Sequence, residues 1–293
     1  MPGVAGMVTP ADVADASSSG AACRSLYFPV TLGANVSRVY REFGQLCTNN
    51  PGSLGSQPLQ ILLPGGTVSH KYFDWSYQPN RYNYVRYMTQ RGYTTLSVDR
   101  LGYGYSDHPS AETLNFDVAG WNTHQLVQSL RGGALGAKFR KIVLNGYSMG
   151  GLTAQVEAEK FRDVDAIAIH AVGHQLLTVN STFHLAQLAW PAALDPKFAG
   201  QPWSADPGYL TTIPGQRAQA FYGPPTSYDP AQIPLEESSK VSMTATELVD
   251  ITAKSYSDAT KNITVPVLWS PGQYDRLWCG TTDDCFTDPE SAR

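Results

Sequence analysis

The segment KIVLNGYSMGGLTAQVEAEKF (141–161) decides the fold class of this chain. It begins with an apolar run that is typical of a buried strand, and MGGLTAQVEAEKF (149–161) then predicts a helix. At the corner between them, Gly146 and Gly150 bracket Ser148 in the pattern G-x-S-x-G. This pattern is typical of a nucleophilic serine on a sharp turn, where neighbouring side chains would collide with backbone. The alternative is an ordinary turn whose serine caps the helix.

Apolar strands alternate with helices on both sides of this segment. Strands are predicted at 59–63, 93–99, 141–147, 164–172 and 265–270, and helices at 79–91, 117–131 and 149–161. Because the strands are apolar throughout rather than alternating, they indicate a parallel sheet that is buried on both faces. Two earlier runs, 26–32 and 37–46, predict an antiparallel hairpin. The predicted fold class is therefore α/β, with a mostly parallel, doubly wound sheet.

The pattern changes between residues 175 and 262, where proline and aromatic residues alternate. Nine of the 20 prolines fall between Pro191 and Pro234. A long segment without clear strands, inserted between two sheet strands, predicts a cap over a site, although an irregular packing elaboration is the alternative. The predicted organisation is a mobile leader at 1–25, a core at 26–174, a cap at 175–262 and the rest of the core at 263–293.

The composition narrows the set of partners. The net charge is −4 and Lys and Arg form no cluster, which argues against nucleic acid and anionic membrane surfaces. No run of 18 apolar residues predicts a membrane-spanning helix. The sequence has neither a dinucleotide-binding fingerprint nor a motif with metal-ligand spacing, so no cofactor and no metal are predicted. The expected partner is a small-molecule substrate.

The four cysteines form two local pairs, and neither pair has the C-x-x-C spacing of a redox or zinc motif. Two short-range disulfides are predicted, which implies an oxidising compartment; free thiols in a cytosolic enzyme are the alternative. The pairs are Cys23 with Cys47 and Cys279 with Cys285. Three N-x-[ST] sequons also fit export. We expect a secreted or otherwise extracytoplasmic protein, whose signal peptide is not present in the first 22 residues.

The loop LLPGGTVSHKYFDW (62–75) follows a predicted strand and is the candidate for an oxyanion hole. Such a loop can contribute a backbone N–H, which acts together with the N–H of the residue after the nucleophile. We assign the second donor to Met149 and the first to Gly66 or Thr67. A plain β-turn is the alternative.

From about residue 26 onward, the sequence resembles the α/β-hydrolases. It has PGG where that family usually has His-Gly, then DRLGYGYSD (99–107) and GYSMGG (146–151), and the predicted cap lies where the family's cap domain lies. The resemblance implies a Ser–acid–His triad in that order along the chain. Asp275 in WSPGQYDRLW (269–278) takes the role of the acid, unless it is only a turn residue. Family members that open epoxides or displace halide use an aspartate at the elbow, so Ser148 argues against both.

The histidine of the triad departs from the family pattern. In the family it follows the acid by some tens of residues, whereas the last histidine here is His184. One expectation is that a missing C-terminal segment or a second polypeptide supplies the final strand and its histidine beyond Arg293. Alternatively, His170 or His174 near the end of the strand at 164–172 acts as the base. A third alternative is a binding module without a base.

The function that this pattern favours is hydrolysis of a carboxylic ester or lactone through an acyl-enzyme. The aromatic cap favours a bulky apolar or aromatic substrate. The alternatives are a non-catalytic ligand-binding protein of the same fold, and a lyase or acyltransferase that uses the same triad.

Overall fold

The computed structural model describes residues 7–13, 16–173, 185–255, 257–275 and 277–278. Its central sheet has eight strands in the order β1-β2-β3-β5-β4-β6-β7-β11. These strands are β1 Thr9–Pro10, β2 Ala22–Thr31, β3 Val39–Thr48, β4 Leu59–Leu63, β5 Thr94–Asp99, β6 Ile142–Tyr147, β7 Ala166–His170 and β11 Val267–Ser270. A second, three-stranded antiparallel sheet consists of β8 Trp190–Pro191, β9 Tyr209–Thr211 and β10 Met243–Thr244.

Five neighbouring strands of the central sheet, β5, β4, β6, β7 and β11, are parallel. The β2–β3 hairpin joins them in an antiparallel manner through β3 and β5. Strands β4 and β5 are buried along their whole length, as predicted for parallel strands, although both contain polar residues. The prediction of burial was wrong for β11, which lies at the edge of the sheet and is exposed at all four residues. The predicted α/β class, the mostly parallel sheet and the opening hairpin are therefore confirmed.

Seven α-helices connect and flank the strands within the described residues. They are α1 Pro79–Tyr82, α2 Tyr84–Thr89, α3 Phe116–Gly132, α4 Met149–Lys160, α5 Arg217–Phe221, α6 Ile233–Ser239 and α7 Ala245–Ser255. Short 3-10 helices lie at Pro51–Ser56, His70–Tyr72, Ala111–Thr113, Ala192–Leu194, Pro202–Ala205, Pro225–Ser227, Pro230–Gln232 and Asp258–Asn262. In the part of the chain that the structure describes, no helix is long and apolar enough to cross a membrane.

The single helix predicted at 79–91 is instead two short helices, α1 and α2, which are separated at Asn83. The backbone of Asn83 is extended, with φ −90° and ψ 104°. Its side-chain oxygen accepts a hydrogen bond from the Arg86 N–H at 2.7 Å and so caps α2. Its side-chain nitrogen donates to Asp74 at 2.5 Å, so a contact outside the helix breaks the helical path.

Helix α4 starts directly after the β6 corner and packs against α3 and α7. Helix α3 begins after Asn115, whose side chain accepts from the Val118 N–H at 2.9 Å, and ends before Gly133 at φ 94°. The segment predicted to lack strands contains β8, β9 and β10, but these strands have only two or three residues each. Such short pairings leave no alternation that a sequence pattern can reveal.

A disulfide joins Cys23 in β2 to Cys47 in β3, and the two residues lie directly opposite each other in the hairpin. This pair confirms the first predicted disulfide. The second predicted pair, Cys279 with Cys285, lies outside the described residues. Residues 22–25 of the predicted leader belong to β2, and the short strand β1 pairs with it.

Candidate active site

Ser148 stands at the corner between β6 and α4 in an unusual backbone conformation. Its φ is 52° and its ψ is −121°, in a region that residues with side chains seldom occupy. Three hydrogen bonds hold this corner. The Ser148 N–H donates to the His170 carbonyl at 2.8 Å, and the Ser148 carbonyl accepts from the N–H groups of Gly151 at 2.7 Å and Leu152 at 3.2 Å. The predicted strand–turn–helix context of the serine is therefore present.

Close backbone contacts explain the two glycines of the G-x-S-x-G pattern. A Cβ atom at Gly146 would lie 2.3 Å from the Gly150 carbonyl oxygen. A Cβ atom at Gly150 would lie 2.0 Å from the Leu63 carbonyl oxygen. Neither position tolerates a side chain unless the backbone moves. Both glycines therefore allow β6 and α4 to meet at the angle that the serine corner requires.

The loop after β4 packs directly against this corner. A Cβ atom at Gly65 would lie 3.0 Å from Cβ of Ser148, and one at Gly66 would lie 2.5 Å from Sδ of Met149. The structure thus brings the two predicted oxyanion-hole segments together. The next residue, Thr67, has a positive φ of 59°. Its Oγ1 accepts a hydrogen bond from Arg217 at 2.7 Å.

Ser148 and Asp275 line one cavity of about 330 Å³, which we call the serine cavity. Asp275 follows β11, which pairs in parallel with β7 beside the serine strand. Burial raises the pKa of the Asp275 carboxyl group, while the N–H groups of Leu277 and Trp278 oppose this rise. They donate to Oδ1 at 2.9 and 3.2 Å. These bonds hold one oxygen of the Asp275 carboxylate in place.

His170 is the last residue of β7 and lies opposite Tyr147 in the parallel register. Its imidazole lines a neighbouring cavity of about 720 Å³ rather than the serine cavity. The two cavities share Tyr147, Tyr222 and Ser227 as lining residues. Burial lowers the pKa of His170, which keeps the ring neutral at neutral pH. His174, the other base candidate, lies outside the described residues.

The larger cavity is lined mainly by aromatic rings, and we call it the tyrosine cavity. Its tyrosines are Tyr72, Tyr82, Tyr84, Tyr147, Tyr222 and Tyr228. The rings of Tyr72 and Tyr147 stack with centroids 4.4 Å apart. The Tyr84 hydroxyl donates to Gln60 at 2.7 Å and accepts from Asn145 at 2.7 Å. Sequence reasoning missed this cavity, and its one signal was the high tyrosine content of 16 residues.

The tyrosine cavity holds neutral phenols and one buried acid. Burial raises the pKa values of the Tyr72, Tyr147 and Tyr222 hydroxyls, so all three stay protonated at neutral pH. Burial also raises the pKa of Glu236, although the Arg217 guanidinium, whose Nη2 lies 3.4 Å from Oε1, opposes the rise. The cavity therefore offers hydrogen-bond donors on apolar rings, which suits an aromatic ligand with oxygen substituents.

The strand order, the strained serine corner and the glycine loop beside it define an α/β-hydrolase type of protein. A sequence model described as the alpha/beta hydrolase family matches residues 60–292, which is more than half of the chain. The chain belongs to the alpha/beta hydrolase family.

The individual proteins that resemble this chain share little sequence identity with it. Epoxide hydrolase 3 of Xenopus tropicalis is 29% identical over 141 residues, which is 47% of this chain and 32% of that protein. The match thus spans about a third of the length of that relative. A hydrolase from Pseudomonas aeruginosa has a TM-score of 0.51 at 13% identity, covering 86% of this chain and 82% of its own. The structure of the N-acyl homoserine lactonase AidH matches this one with a TM-score of 0.50 at 10% sequence identity; the match covers 86% of this chain and 79% of AidH. At these identities the solved structures show a shared fold.

Proposed function

We propose that this chain is a serine hydrolase that cleaves a carboxylic ester or a lactone of a bulky apolar or aromatic substrate. The observation that carries the proposal is the joint placement of Ser148, at a strained corner, and Asp275 in one cavity. A serine at this position also distinguishes the chain from family members that use an aspartate nucleophile. The lactonase among the structural neighbours acts on the same kind of acyl–oxygen bond.

The proposed mechanism is acyl transfer to water. Oγ of Ser148 attacks the ester carbonyl while a histidine accepts its proton, and Asp275 orients that imidazole. The N–H groups of Met149 and of Gly66 or Thr67 bind the oxyanion of the tetrahedral intermediate. As the intermediate collapses, the imidazolium gives its proton to the departing alkoxide oxygen, which in a lactone stays attached to the acyl group. Water then attacks the acyl-enzyme while the same histidine accepts its proton, and the acid is released as that proton returns to Oγ of Ser148. Asp275 stays ionised throughout, since its role is to stabilise the imidazolium.

The substrate class follows from the adjoining tyrosine cavity. The cavity meets the serine cavity at Tyr147 and Tyr222, so one substrate can occupy both. Its volume of about 720 Å³ accommodates a drug-sized aromatic group. The neutral phenols of the cavity can donate hydrogen bonds to oxygen atoms on that group.

Covalent labelling tests the proposed nucleophile. A fluorophosphonate ester reacts with an activated serine by displacement of fluoride, and the phosphonyl group stays on Oγ. We expect a single adduct on the peptide that contains Ser148, and no adduct in Ser148→Ala, as measured by mass spectrometry. If the wild-type chain shows neither an adduct nor hydrolysis of aryl esters, the non-catalytic binding protein becomes the better assignment. If the wild-type chain forms the adduct but transfers the acyl group to an alcohol rather than to water, an acyltransferase becomes the better assignment.

The general base requires a separate test. Within the described residues, His170 is the candidate for this role. Because burial lowers its pKa below the usual 6.5, we expect kcat/KM to rise with pH through that pKa and level off above it. His170→Gln is expected to remove this acidic limb and to lower the plateau about 10²- to 10⁴-fold. The measurement is a pH–rate profile with an aryl ester.

His108→Gln is the matched control, because His108 stacks on Trp203 at 4.3 Å in a different cavity. We expect it to keep the wild-type profile. If His170→Gln also keeps both the limb and the plateau, the base is another histidine. That histidine would be His174 or one contributed by a further segment or polypeptide, and the assignment of Ser148 would stand.

We also propose that the protein resides in an oxidising, extracytoplasmic compartment, which the Cys23–Cys47 disulfide supports. We expect a thiol titration of the denatured, unreduced protein to find no free thiol, since we propose that Cys279 and Cys285 form a second disulfide. Two free thiols would refute the second pair alone. Four would refute the proposed compartment as well.

A further inference from the structure

A cluster of one histidine and two acids lies between α3 and α4, outside both cavities of the active site. His124 belongs to α3, Glu157 to the last turns of α4, and Asp163 to the loop that follows α4. One ligand atom from each of the three side chains lies within 4.8 Å of the other two. Sequence motifs did not reveal this cluster, because helix packing brings residues together that are up to 39 positions apart.

The buried carboxylate of Glu157 is the unusual member of the cluster. The residue is 0% exposed, and apart from the adjacent carboxyl group of Asp163, neither of its carboxylate oxygens has a hydrogen-bond partner within the described residues. Burial and the neighbouring carboxyl group of Asp163 together raise the pKa of Glu157 to about 10, although the charge of Arg131 opposes this rise. An unpartnered buried carboxylate is costly, so this position requires a positive charge or a proton.

The other two side chains are held in place beside Glu157. Nδ1 of His124 lies 2.8 Å from Oδ2 of Asp163, but without the alignment of a hydrogen bond. The His124 ring stacks on Phe161 at 4.1 Å, which fixes its plane. Gln128 donates a hydrogen bond to Oδ2 of Asp163, leaving Oδ1 without a partner in the described part of the chain. Burial alone would raise the pKa of Asp163, but His124 and its other neighbours lower it to about 2.

We propose that His124, Glu157 and Asp163 bind one divalent transition-metal ion of the zinc type. One imidazole nitrogen with two carboxylate oxygens is a donor set that suits Zn²⁺ rather than Mg²⁺ or Ca²⁺, which prefer oxygen ligands alone. The side chains of His124 and Asp163 are 17% and 16% exposed, so an ion and a completing water can enter from solvent. Bound metal would supply the positive charge that the Glu157 carboxylate lacks.

The expected role of this ion is structural. Glu157 lies on α4, nine residues beyond Ser148, which directly precedes this helix; the ion is therefore about 13 Å along the helix axis from the reacting atoms. It would tie the C-terminal end of α4 to α3. The metal is therefore expected to stabilise the fold without entering the proposed reaction.

Zinc titration of the chelator-treated full chain tests this site. We expect calorimetry with ZnCl₂ to give one site per chain, and saturation at 100 times Kd to raise Tm by about 5 °C. MgCl₂ is expected to do neither. Glu157→Gln should weaken zinc binding at least about 100-fold and abolish the Tm rise. Because its amide can donate a hydrogen bond to Asp163, the metal-free variant should fold with a Tm no lower than that of the metal-free wild type.

Glu159→Gln is the matched control, since Glu159 lies on the same helix but not in the cluster. It should bind zinc as the wild type does. The proposal is overturned if the wild type takes up no zinc at millimolar concentration, which would leave a shared proton between Glu157 and Asp163 as the explanation. It is also overturned if Glu157→Gln binds zinc unchanged, because the ion would then occupy other ligands.

Discussion

Ser148→Ala is expected to lower kcat for aryl ester hydrolysis by about six powers of ten, to the residual rate that the oxyanion hole supports. Removal of Oγ deletes the only atom that forms the acyl bond in the proposed mechanism, so no weaker version of the same chemistry remains. KM should change little, because the tyrosine cavity that would hold the substrate is untouched. The measurement is steady-state kinetics with an aryl ester, beside the uncatalysed rate.

The thermal unfolding curve of the Ser148→Ala variant serves as the control for this loss. Alanine carries the same Cβ at the same positive φ, so we expect Tm within about 2 °C of the wild type. If the variant hydrolyses the ester at the wild-type rate, Ser148 is not the nucleophile. The reaction then arises from another group or from a contaminating enzyme.

Among the variants proposed above and below, Glu247→Gln should lose the most stability, with a fall of about 3 kcal/mol in the free energy of unfolding. Arg100 and Glu247 form an ion pair in which both side chains are only 2% exposed. The hydroxyl of Tyr103 also donates to Glu247 at 2.9 Å, and the Arg100 guanidinium lies over the Tyr103 ring. Removing the acid leaves a buried guanidinium without its compensating charge. Denaturant unfolding at neutral pH measures the change.

Asp258→Asn is the matched control, because Asp258 forms an ion pair with Lys261 in which both side chains are exposed. We expect it to change stability by less than about 1 kcal/mol. Replacement of both buried partners, Arg100→Met with Glu247→Leu, should recover part of the loss, since no uncompensated charge remains. Equal effects of Glu247→Gln and Asp258→Asn would contradict the stabilising role that we assign to burial of this pair.

The local features of the fold could be predicted from the sequence because their signals are local. Gly146 and Gly150 mark the serine corner, and two close backbone contacts now account for both of them. The hairpin and its Cys23–Cys47 pair follow from two neighbouring runs and one cysteine spacing. The residues of the serine corner are near each other in the chain. The two cysteines are farther apart, but the pairing of two consecutive strands brings them opposite each other.

Features that distant segments assemble could not be predicted where no known family pattern links the segments. The tyrosine cavity joins residues 72–84 to 145–147 and 222–236, and no spacing rule connects these segments. Arg100 and Glu247 are 147 positions apart, and no local pattern in the sequence indicates that the two charges meet in the interior. The break at Asn83 has the same cause, because its contact with Asp74 outweighs a good local helix pattern.

The positive φ of Ser148 affects which substitutions this position tolerates. A residue with a side chain at a positive φ costs about 1–3 kcal/mol relative to a relaxed conformation, and glycine avoids most of that strain. At position 148 the most stable residue is thus one that cannot form an acyl bond. Selection for folding stability alone would favour its loss, and only selection for turnover would retain the serine. Stability and activity therefore oppose each other at this one residue.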